Sequence, residues 1–198
     1  MNSTPPFILA SSSPRRRALL QDAGFNFTVN TIDVDESYPK GLTPVAVVDF
    51  LAHKKLMACE AWLTKKLVVT ADTLVFMEDT ILGKPKDRMQ AIEMLNQLSN
   101  RKHSVTTSVC LGFQKHIHQF NVTTQVYFAT LTKDEIINYV DQFKPYDKAG
   151  SYGIQEWIGQ IGIIKIEGSY TNVVGMPMHE TYRAIVEFGN RWLHSQNQ

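Results

Sequence analysis

Residues 7–17 read FILASSSPRRR, an apolar run that passes directly into hydroxyls, a proline and three arginines. The first four residues predict a short buried strand. Ser13 can cap a helix, and Pro14 suits the first helical position, where its missing N–H costs nothing. The helix should run to about Ala23, and Gly24 can end it in the left-handed conformation. The segment therefore predicts a strand, a turn and a helix whose N-terminus carries the hydroxyls and the cations.

The same turn is a candidate anion site. A helix N-terminus carries partial positive charge and unpaired N–H groups, and phosphates bind there. Arg15 and Arg16 strengthen this interpretation because a guanidinium pairs with two phosphate oxygens at once, and Ser11 and Ser13 add hydroxyls. The alternative is a solvated basic first turn, but three cations at the positive end of a helix are unfavourable without an anion.

The rest of the chain mixes helical and strand patterns. With 198 residues, 43% of them hydrophobic, it can bury a full core as a single domain over residues 1–198. Early strands and helices alternate, while antiparallel pairs are expected in the middle of the chain. The pattern predicts an α/β protein with a mixed twisted sheet, flanking helices and two lobes around a deep cleft. The predicted helices run from Thr43-Pro44 to about Trp62, from Asp87, from the capping box Thr132–Glu135 and from near Pro177; the predicted strands include Leu67–Phe76, Ser104–Leu111, Val122–Phe128 and Ile163–Ile166.

The composition limits the classes of function. Lys and Arg number 20 against 19 for Asp and Glu, so the formal net charge is +1. A nucleic-acid binder usually carries a clear basic excess, so we expect no nucleic-acid binding and a phosphate site that is confined to a few residues. No run approaches the ~18 apolar residues of a membrane span, and Cys59 and Cys110 have no metal-type spacing. We expect buried or inert thiols, no membrane association and a cytoplasmic protein.

Asp72 is a carboxylate inside a strand that is otherwise apolar. An unpaired buried charge is costly, so such a residue is usually paired, bound to a metal or placed at a strand end that faces a cleft. Catalysis or metal binding is one interpretation, and a capping or turn aspartate is the other. Asp35 and Glu36 could join Asp72 in holding a hard divalent cation, although alone they are typical of a solvated loop.

Two lysines and one loop complete the candidates. Lys55 lies on an apolar helical face and would ordinarily extend to water, whereas Lys84 lies in the rigid turn of residues 83–85, which could aim its ammonium. Residues 147–155 read DKAGSYGIQ, and the two glycines permit a ligand to approach the backbone closely. Gln155 could read a base edge, since an amide offers a donor and an acceptor. A plain surface loop is an equal alternative for this segment.

Together these motifs resemble the Maf family. The blocks occur in the family's order and span nearly the whole chain, so the combination is highly specific. The resemblance implies the inosine triphosphatase-like fold, a homodimer and a nucleoside triphosphate pyrophosphatase, which converts a triphosphate and water to a monophosphate and pyrophosphate. The blocks are Leu9-Ala10-Ser11, Ser13-Pro14-Arg15-Arg16, Val34-Asp35-Glu36, Ala71-Asp72-Thr73, Gly83-Lys84-Pro85, Asp147-Lys148-Ala149-Gly150 and Val173-Val174-Gly175-Met176-Pro177.

The resemblance also implies a role for each residue. Asp72 matches the family's proposed proton acceptor, and Glu36 matches an acidic residue of the same site. Arg16, Lys55 and Lys84 match basic residues that line the triphosphate cleft. A divalent metal, Mg²⁺ or Mn²⁺, held by Asp72 and Glu36 would offset charge, while Asp72 orients or deprotonates the attacking water and the cations stabilise the departing pyrophosphate.

Three positions distinguish the family's branches by base preference, and here they read Arg15, Thr73 and Gln155. This set is similar to the branch that acts on dTTP and UTP, whereas the branch acting on 7-methylguanosine triphosphate typically has tryptophan, glutamine and glutamate. The Gln155 amide can pair with the O4 and N3–H edge of thymine or uracil. We expect dTTP, UTP and modified pyrimidine triphosphates as substrates. The alternatives are 7-methyl-GTP hydrolysis and a noncatalytic nucleotide-binding regulator of septum formation.

Overall fold

The computed structural model describes residues 4–190. Its strands are β1 (Phe7–Leu9), β2 (Phe27–Val29), β3 (Val68–Met77), β4 (Thr80–Leu82), β5 (Lys102–Phe113), β6 (His116–Phe128) and β7 (Ile163–Glu167). Its helices are α1 (Pro14–Asp22), α2 (Pro44–Met57), α3 (Glu60–Leu63), α4 (Arg88–Leu98), α5 (Lys133–Phe143), α6 (Trp157–Gly162), α7 (Tyr170–Val174) and α8 (Met178–Phe188), with a 3₁₀ turn at Ala149–Ser151. The strands form one sheet in the order β2-β1-β3-β5-β6-β7, and β4 pairs with β3. Parallel and antiparallel pairs both occur, which confirms the predicted mixed α/β class.

Contacts divide the chain into two compact units. Of the described residues, the first unit comprises 4–72, 107–122 and 175–190, and the second comprises 73–106 and 123–174. Strands β3, β5 and β6 each contribute residues to both units. None of the helices within residues 4–190 is long and apolar enough to span a membrane.

In the first unit, β1 pairs in parallel with both β2 and β3. Parallel neighbours require a crossover connection, and α1 supplies it between β1 and β2. Leu9 lies opposite Val69, so the turn after β1 and the part of β3 that carries Asp72 both follow this pair on the carboxyl side of β1. A buried apolar core fixes this arrangement; it consists of Phe7, Leu9, Leu20, Leu67, Val69, Ala71, Val109, Leu111, Phe113, Met176, Ala184, Ile185 and Phe188.

In the second unit, β3 turns back into β4 through Glu78, whose φ of 52° lies in the left-handed region. Helix α5 begins with the predicted capping box, in which the Thr132 hydroxyl and the Glu135 carboxylate each accept from a backbone N–H of the other residue. Arg88 of α4 binds both carboxylate oxygens of Asp141 on α5, with N···O distances of 2.5 and 2.9 Å. These local and interhelical bonds hold α4 and α5 side by side.

The predicted single helix up to Trp62 is wrong, because α2 ends at Met57 and the short α3 follows. The Cys59 N–H bonds to the Leu56 carbonyl three residues back, at 2.9 Å, which tightens the chain out of the α-helical pattern. This bend lets Cys59 and Leu63 pack in one apolar cluster with Leu56.

The glycine-rich stretch after residue 150 contains α6 and α7, which the sequence patterns did not predict. Helix α6 has room only for a glycine at position 159, because a Cβ there would lie 2.0 Å from the Ile154 carbonyl oxygen. Strand β6 also begins at His116 rather than at Val122, because its first half is mostly exposed and carries a weak apolar signal.

Cys59 and Cys110 are free and buried, as predicted. Burial raises the pKa of the Cys59 thiol to about 11 and that of Cys110 to about 12. Because the thiolate is the reactive form, both side chains are chemically inert packing groups at neutral pH.

Candidate active site

The turn between β1 and α1 is ordered by its own hydroxyls. The Ser13 N–H donates to Ser11 Oγ at 3.2 Å, and the Arg16 N–H donates to Ser13 Oγ at 3.4 Å. Ser13 is therefore the N-cap of α1, with Pro14 as its first residue, as the sequence predicted. The backbone at this helix N-terminus is preorganised before any ligand arrives.

Arg16 ties three segments of the first unit together. Its Nε donates to the Gly175 carbonyl at 2.9 Å, and its Nη1 donates to the Ala71 carbonyl at 2.8 Å and to Ser11 Oγ at 3.3 Å. Burial lowers the pKa of the Arg16 guanidinium below its usual value, while the charge of Asp72 opposes that shift. A guanidinium stays protonated at physiological pH even so, which makes Arg16 a fixed cation beside the Asp72 segment. Of its neighbours in sequence, Arg15 is half-buried and Arg17 is exposed.

Glu36, Lys55 and Asp72 form a compact group, which we call the carboxylate–lysine cluster. Lys55 Nζ lies 2.7 Å from Glu36 Oε1 and also contacts Asp72 Oδ1. Asp72 is only 7% exposed, so the ammonium offsets the cost of burying its charge. From the residues alone, Glu36 groups with Asp72 as a possible metal ligand and Lys55 is considered apart; the structure brings all three into contact.

Asp35 takes a different position. Its carboxylate accepts from the Ser37 N–H at 3.0 Å and from the Ser37 hydroxyl, and it lies 3.4 Å from Lys54 Nζ. These hydrogen bonds from Ser37, followed by the charge of Lys54, lower the pKa of Asp35. Asp35 thus pairs with Lys54, whereas its neighbour Glu36 joins Asp72.

The donor chemistry of the cluster fits a hard divalent cation. Mg²⁺ is usually held by one or two carboxylates together with phosphate oxygens of the substrate. Asp72 and Glu36 supply two such carboxylates, and both contact the ammonium group of Lys55. Within residues 4–190, no group of three or more His, Cys, Asp or Glu side chains is placed to hold a metal without further ligands. Asp72 and Glu36 alone would leave most coordination positions of such a cation to other ligands.

The remaining predicted site residues belong to the second unit. Thr73 directly follows Asp72 in β3 and is half-buried, while Lys84 and Gln155 are exposed. The Gly150 N–H donates to the Gly83 carbonyl at 3.2 Å, so the loop that carries Lys84 is joined to the 3₁₀ turn of the 147–155 motif. Two motifs that the sequence presents far apart are therefore neighbours in this unit.

Sequence reasoning missed three residues that organise these segments. The carbonyl of Gly175 binds Arg16, and its φ of 128° is accessible chiefly to glycine. Its place in the 173–177 motif is the only signal that the sequence carries for Gly175. Tyr139 and Glu156 hold the turn around Gln155. Tyr139 lies on the apolar face of α5 and resembles an ordinary core residue in sequence.

The chain is similar to known proteins over most of its length. The family model described as Maf-like protein matches residues 6–188. A dTTP/UTP pyrophosphatase from Bacteroides fragilis is 47% identical over 90% of this chain and 93% of its own length. A dTTP/UTP pyrophosphatase from Christiangramia forsetii is 45% identical over 92% of this chain and 94% of its own length. The solved structure of a HAM1 protein from Coxiella burnetii covers 93% of this chain and 96% of its own, at a TM-score of 0.48 and 14% identity.

Proposed function

The chain belongs to the Maf-like protein family, and we propose that it is a nucleoside triphosphate pyrophosphatase that hydrolyses dTTP and UTP to the monophosphate and pyrophosphate. Similarity to the two dTTP/UTP pyrophosphatases extends over at least 90% of this chain, and the family model matches residues 6–188, which include every candidate site residue from Ser11 to Gln155. The proposal rests on one observation above all, the burial of Asp72 against Lys55 beside the Arg16 guanidinium.

The reaction needs a base and cations, and no covalent nucleophile. Asp72 orients a water molecule and accepts its proton as the water oxygen bonds to the α-phosphorus. The bond from the α-phosphorus to the bridging oxygen breaks, and pyrophosphate leaves with the electron pair. Arg16 and Lys55 stabilise the charge that develops on the phosphates, and the family resemblance adds Lys84 to this role.

A divalent cation, Mg²⁺ or Mn²⁺, belongs to the proposal. Asp72 and Glu36 would hold it together with phosphate oxygens, and it would supply neutralisation of the triphosphate charge. Lys55 contacts both carboxylates and so keeps them close together in the absence of substrate. Ser11 and Ser13, at the N-terminus of α1, are proposed to bind phosphate through the adjacent backbone N–H groups.

Pyrimidine preference is assigned to Arg15, Thr73 and Gln155. The Gln155 amide offers a donor and an acceptor that match the O4 and N3–H edge of thymine and uracil. The names of the relatives support this choice over 7-methyl-GTP. We extend the proposal to modified pyrimidine triphosphates, because an amide that hydrogen-bonds to O4 and N3–H makes no contact with a substituent at C5 of the base.

The proposal also includes a cytoplasmic homodimer that binds neither nucleic acid nor membranes. The formal net charge of +1 supports the absence of a nucleic-acid partner. Size-exclusion chromatography with light scattering would test the dimer, and a monomer at micromolar concentration would contradict it.

The decisive experiment measures pyrophosphate release from dTTP, UTP, 7-methyl-GTP and the purine triphosphates, with Mg²⁺, with Mn²⁺ and with a chelator. We expect metal-dependent release that is fastest with dTTP or UTP. Preference for 7-methyl-GTP would overturn the assignment of the three base-reading positions. Tight dTTP binding without any pyrophosphate release would instead favour a noncatalytic regulator.

A further inference from the structure

The four-residue turn from Gly153 to Glu156 is closed by a ring of hydrogen bonds. The Glu156 N–H donates to the Gly153 carbonyl at 3.0 Å, as in a tight turn. The Gly153 N–H donates to the Tyr139 hydroxyl at 3.0 Å, and that hydroxyl donates in turn to the Glu156 carboxylate. We call Tyr139, Gly153 and Glu156 the turn clasp. It fixes both ends of the turn to the middle of helix α5.

A lysine strengthens the clasp at its charged end. Lys148 Nζ lies 3.1 Å from Glu156 Oε1 and 2.7 Å from Asp147 Oδ1. The Lys148 side chain is 11% exposed and that of Glu156 is 24% exposed, so the ion pair between them is largely shielded from water. The Glu156 carboxylate therefore receives one neutral and one charged donor, and hydrogen bonds to charged groups are the stronger kind.

The packing around the clasp leaves little room for movement. Tyr139 is fully buried, and its ring stacks on Phe143 at 5.1 Å between centroids. A Cβ at Gly153 would lie 2.8 Å from Glu156 Cδ, so the glycine makes room for the carboxylate. Burial, followed by the hydrogen bond to Glu156, raises the pKa of Tyr139, and the hydroxyl remains a donor throughout the physiological range.

The two residues inside the turn have opposite environments. Ile154 is 7% exposed and packs inward, whereas Gln155 is exposed. A side chain that discriminates between bases must be presented from a backbone of fixed position, because misplacement weakens directional hydrogen bonds more than it weakens phosphate contacts. The clasp supplies such a backbone, because it holds Gly153 two residues before Gln155 and Glu156 directly after it.

We propose that Tyr139 and Glu156 are positioning residues for pyrimidine selectivity, acting through the turn that presents Gln155. This inference rests on the proposed function, in which Gln155 reads the base. Neither residue is assigned contact with the substrate. The expected signature is a loss of discrimination between bases, while the chemical step, which depends on Asp72, continues.

The test compares wild type with Tyr139→Phe, which keeps the ring and removes the hydroxyl. The ratio of kcat/KM for dTTP to kcat/KM for dATP should fall roughly 10-fold or more, in line with the loss of a hydrogen bond to a charged group. Most of the change should appear as a higher KM for dTTP, with kcat within about twofold of wild type. The matched control is Tyr127→Phe, which also removes a hydroxyl bonded to a glutamate, Glu167 at 2.8 Å, in the same unit.

Glu156 provides an independent pair of variants. Glu156→Gln keeps an oxygen that can accept from Tyr139 and loses the charge that pairs with Lys148, whereas Glu156→Ala removes both. The dTTP-to-dATP ratio should therefore fall least in Glu156→Gln and most in Glu156→Ala. Circular dichroism and the thermal midpoint report whether each variant is folded under the assay conditions.

The outcomes separate the inference from the proposed function. Wild-type protein that releases no pyrophosphate from dTTP or UTP would overturn both. Active wild type, with unchanged ratios in folded Tyr139→Phe and Glu156→Gln, would overturn the positioning role alone. Equal losses of kcat/KM for dTTP and dATP would also overturn it, because a merely structural role reduces all substrates alike.

Discussion

Asp72 combines a carboxylate side chain with a position that is only 7% exposed. Such burial is tolerated because Lys55 lies against it and the Arg16 guanidinium is bonded to the adjacent Ala71 carbonyl. An ion pair that served only to stabilise the fold could be replaced, both partners together, by apolar side chains at little or no loss. The paired charge within β3 therefore supports the proposed catalytic role of Asp72.

Changing Asp72 to Asn should reduce kcat for dTTP by roughly 10²- to 10⁴-fold, because the amide cannot accept the proton of the attacking water. Lys55 keeps Glu36 as a partner, so the variant should still fold and bind a nonhydrolysable dTTP analogue. Pyrophosphate release and calorimetric binding measure the two effects. Asp141→Asn, which also removes a carboxylate from an ion pair, is the control and should retain wild-type turnover. A wild-type rate in Asp72→Asn would remove the residue from the reaction.

His103 carries a prediction about stability and pH. It is 2% exposed, and its Nε2 shares a 2.7 Å hydrogen bond with the Tyr152 hydroxyl. Burial lowers the pKa of His103 from 6.5 to about 4. Among the described residues, its Nδ1 meets no hydrogen-bond partner, so a second proton there would be poorly accommodated.

The sign of the effect follows from this depressed pKa. The unfolded chain takes up the proton near pH 6.5 and the folded chain only near pH 4, so stability is complete above pH 6.5 and falls as the pH drops toward 4. At pH 5 the loss should be about 2 kcal/mol relative to pH 7. Urea unfolding of wild type and His103→Gln at both pH values measures it, with exposed His118→Gln as the control. An equal pH dependence in wild type and His103→Gln would contradict the prediction.

At the scale of elements, Arg16 is the link between α1, β3 and the Gly175 turn. Its planar fork donates to two carbonyls in different directions, and a lysine ammonium on a flexible stem cannot reproduce that geometry. The three segments all belong to the first unit. Loss of the Arg16 guanidinium should therefore loosen the part of β3 that carries Asp72.

Arg16→Lys should therefore lower kcat/KM for dTTP by at least roughly 30-fold and the free energy of unfolding by about 1 to 3 kcal/mol. Arg17→Lys is the natural control, because Arg17 is exposed on the same helix and should tolerate the change. Steady-state kinetics and urea denaturation give the two values. If the two variants behaved alike, the positive charge of α1 and not the guanidinium geometry would be what matters.

The elements that the sequence predicts correctly are those with local signals. Ser13 and Pro14 predict the start of α1, and the Thr132–Glu135 capping box predicts the start of α5. Helix α6 gave no such signal, because it has no side-chain cap and contains two glycines, Gly159 and Gly162. A glycine in the sequence is equally consistent with a loop, so only tertiary packing decides between the two.

The contacts within the candidate site could not be predicted either, because they join residues that are far apart in the sequence. Glu36, Lys55 and Asp72 could each be named from residue type, but their contact depends on the parallel pairing of β1 with β3 and on the packing of α2. Tyr139 could not be named at all, because a tyrosine on an apolar helix face is usually a core residue. Its function as a clasp appears only with the hydrogen bonds of its hydroxyl.

For the molecule as a whole, removal of the metal should separate activity from folding. Because Lys55 already neutralises much of the charge of Asp72 and Glu36, the nucleotide-free protein should keep its circular dichroism spectrum and thermal midpoint in EDTA. Hydrolysis of dTTP should stop and should return when Mg²⁺ or Mn²⁺ is added in excess. A full rate after chelation would show that the reaction needs no metal beside the carboxylate–lysine cluster.

The same experiment can locate the metal. Glu36→Gln replaces a charged ligand by a neutral one, so the Mg²⁺ concentration for half-maximal rate should rise roughly tenfold or more, while saturating metal should restore much of kcat. Glu60→Gln, at an exposed glutamate of α3 in the same unit, should leave that concentration unchanged. A reduced kcat at an unaltered metal requirement would instead assign Glu36 to holding Lys55 in place, since that ammonium is its observed partner.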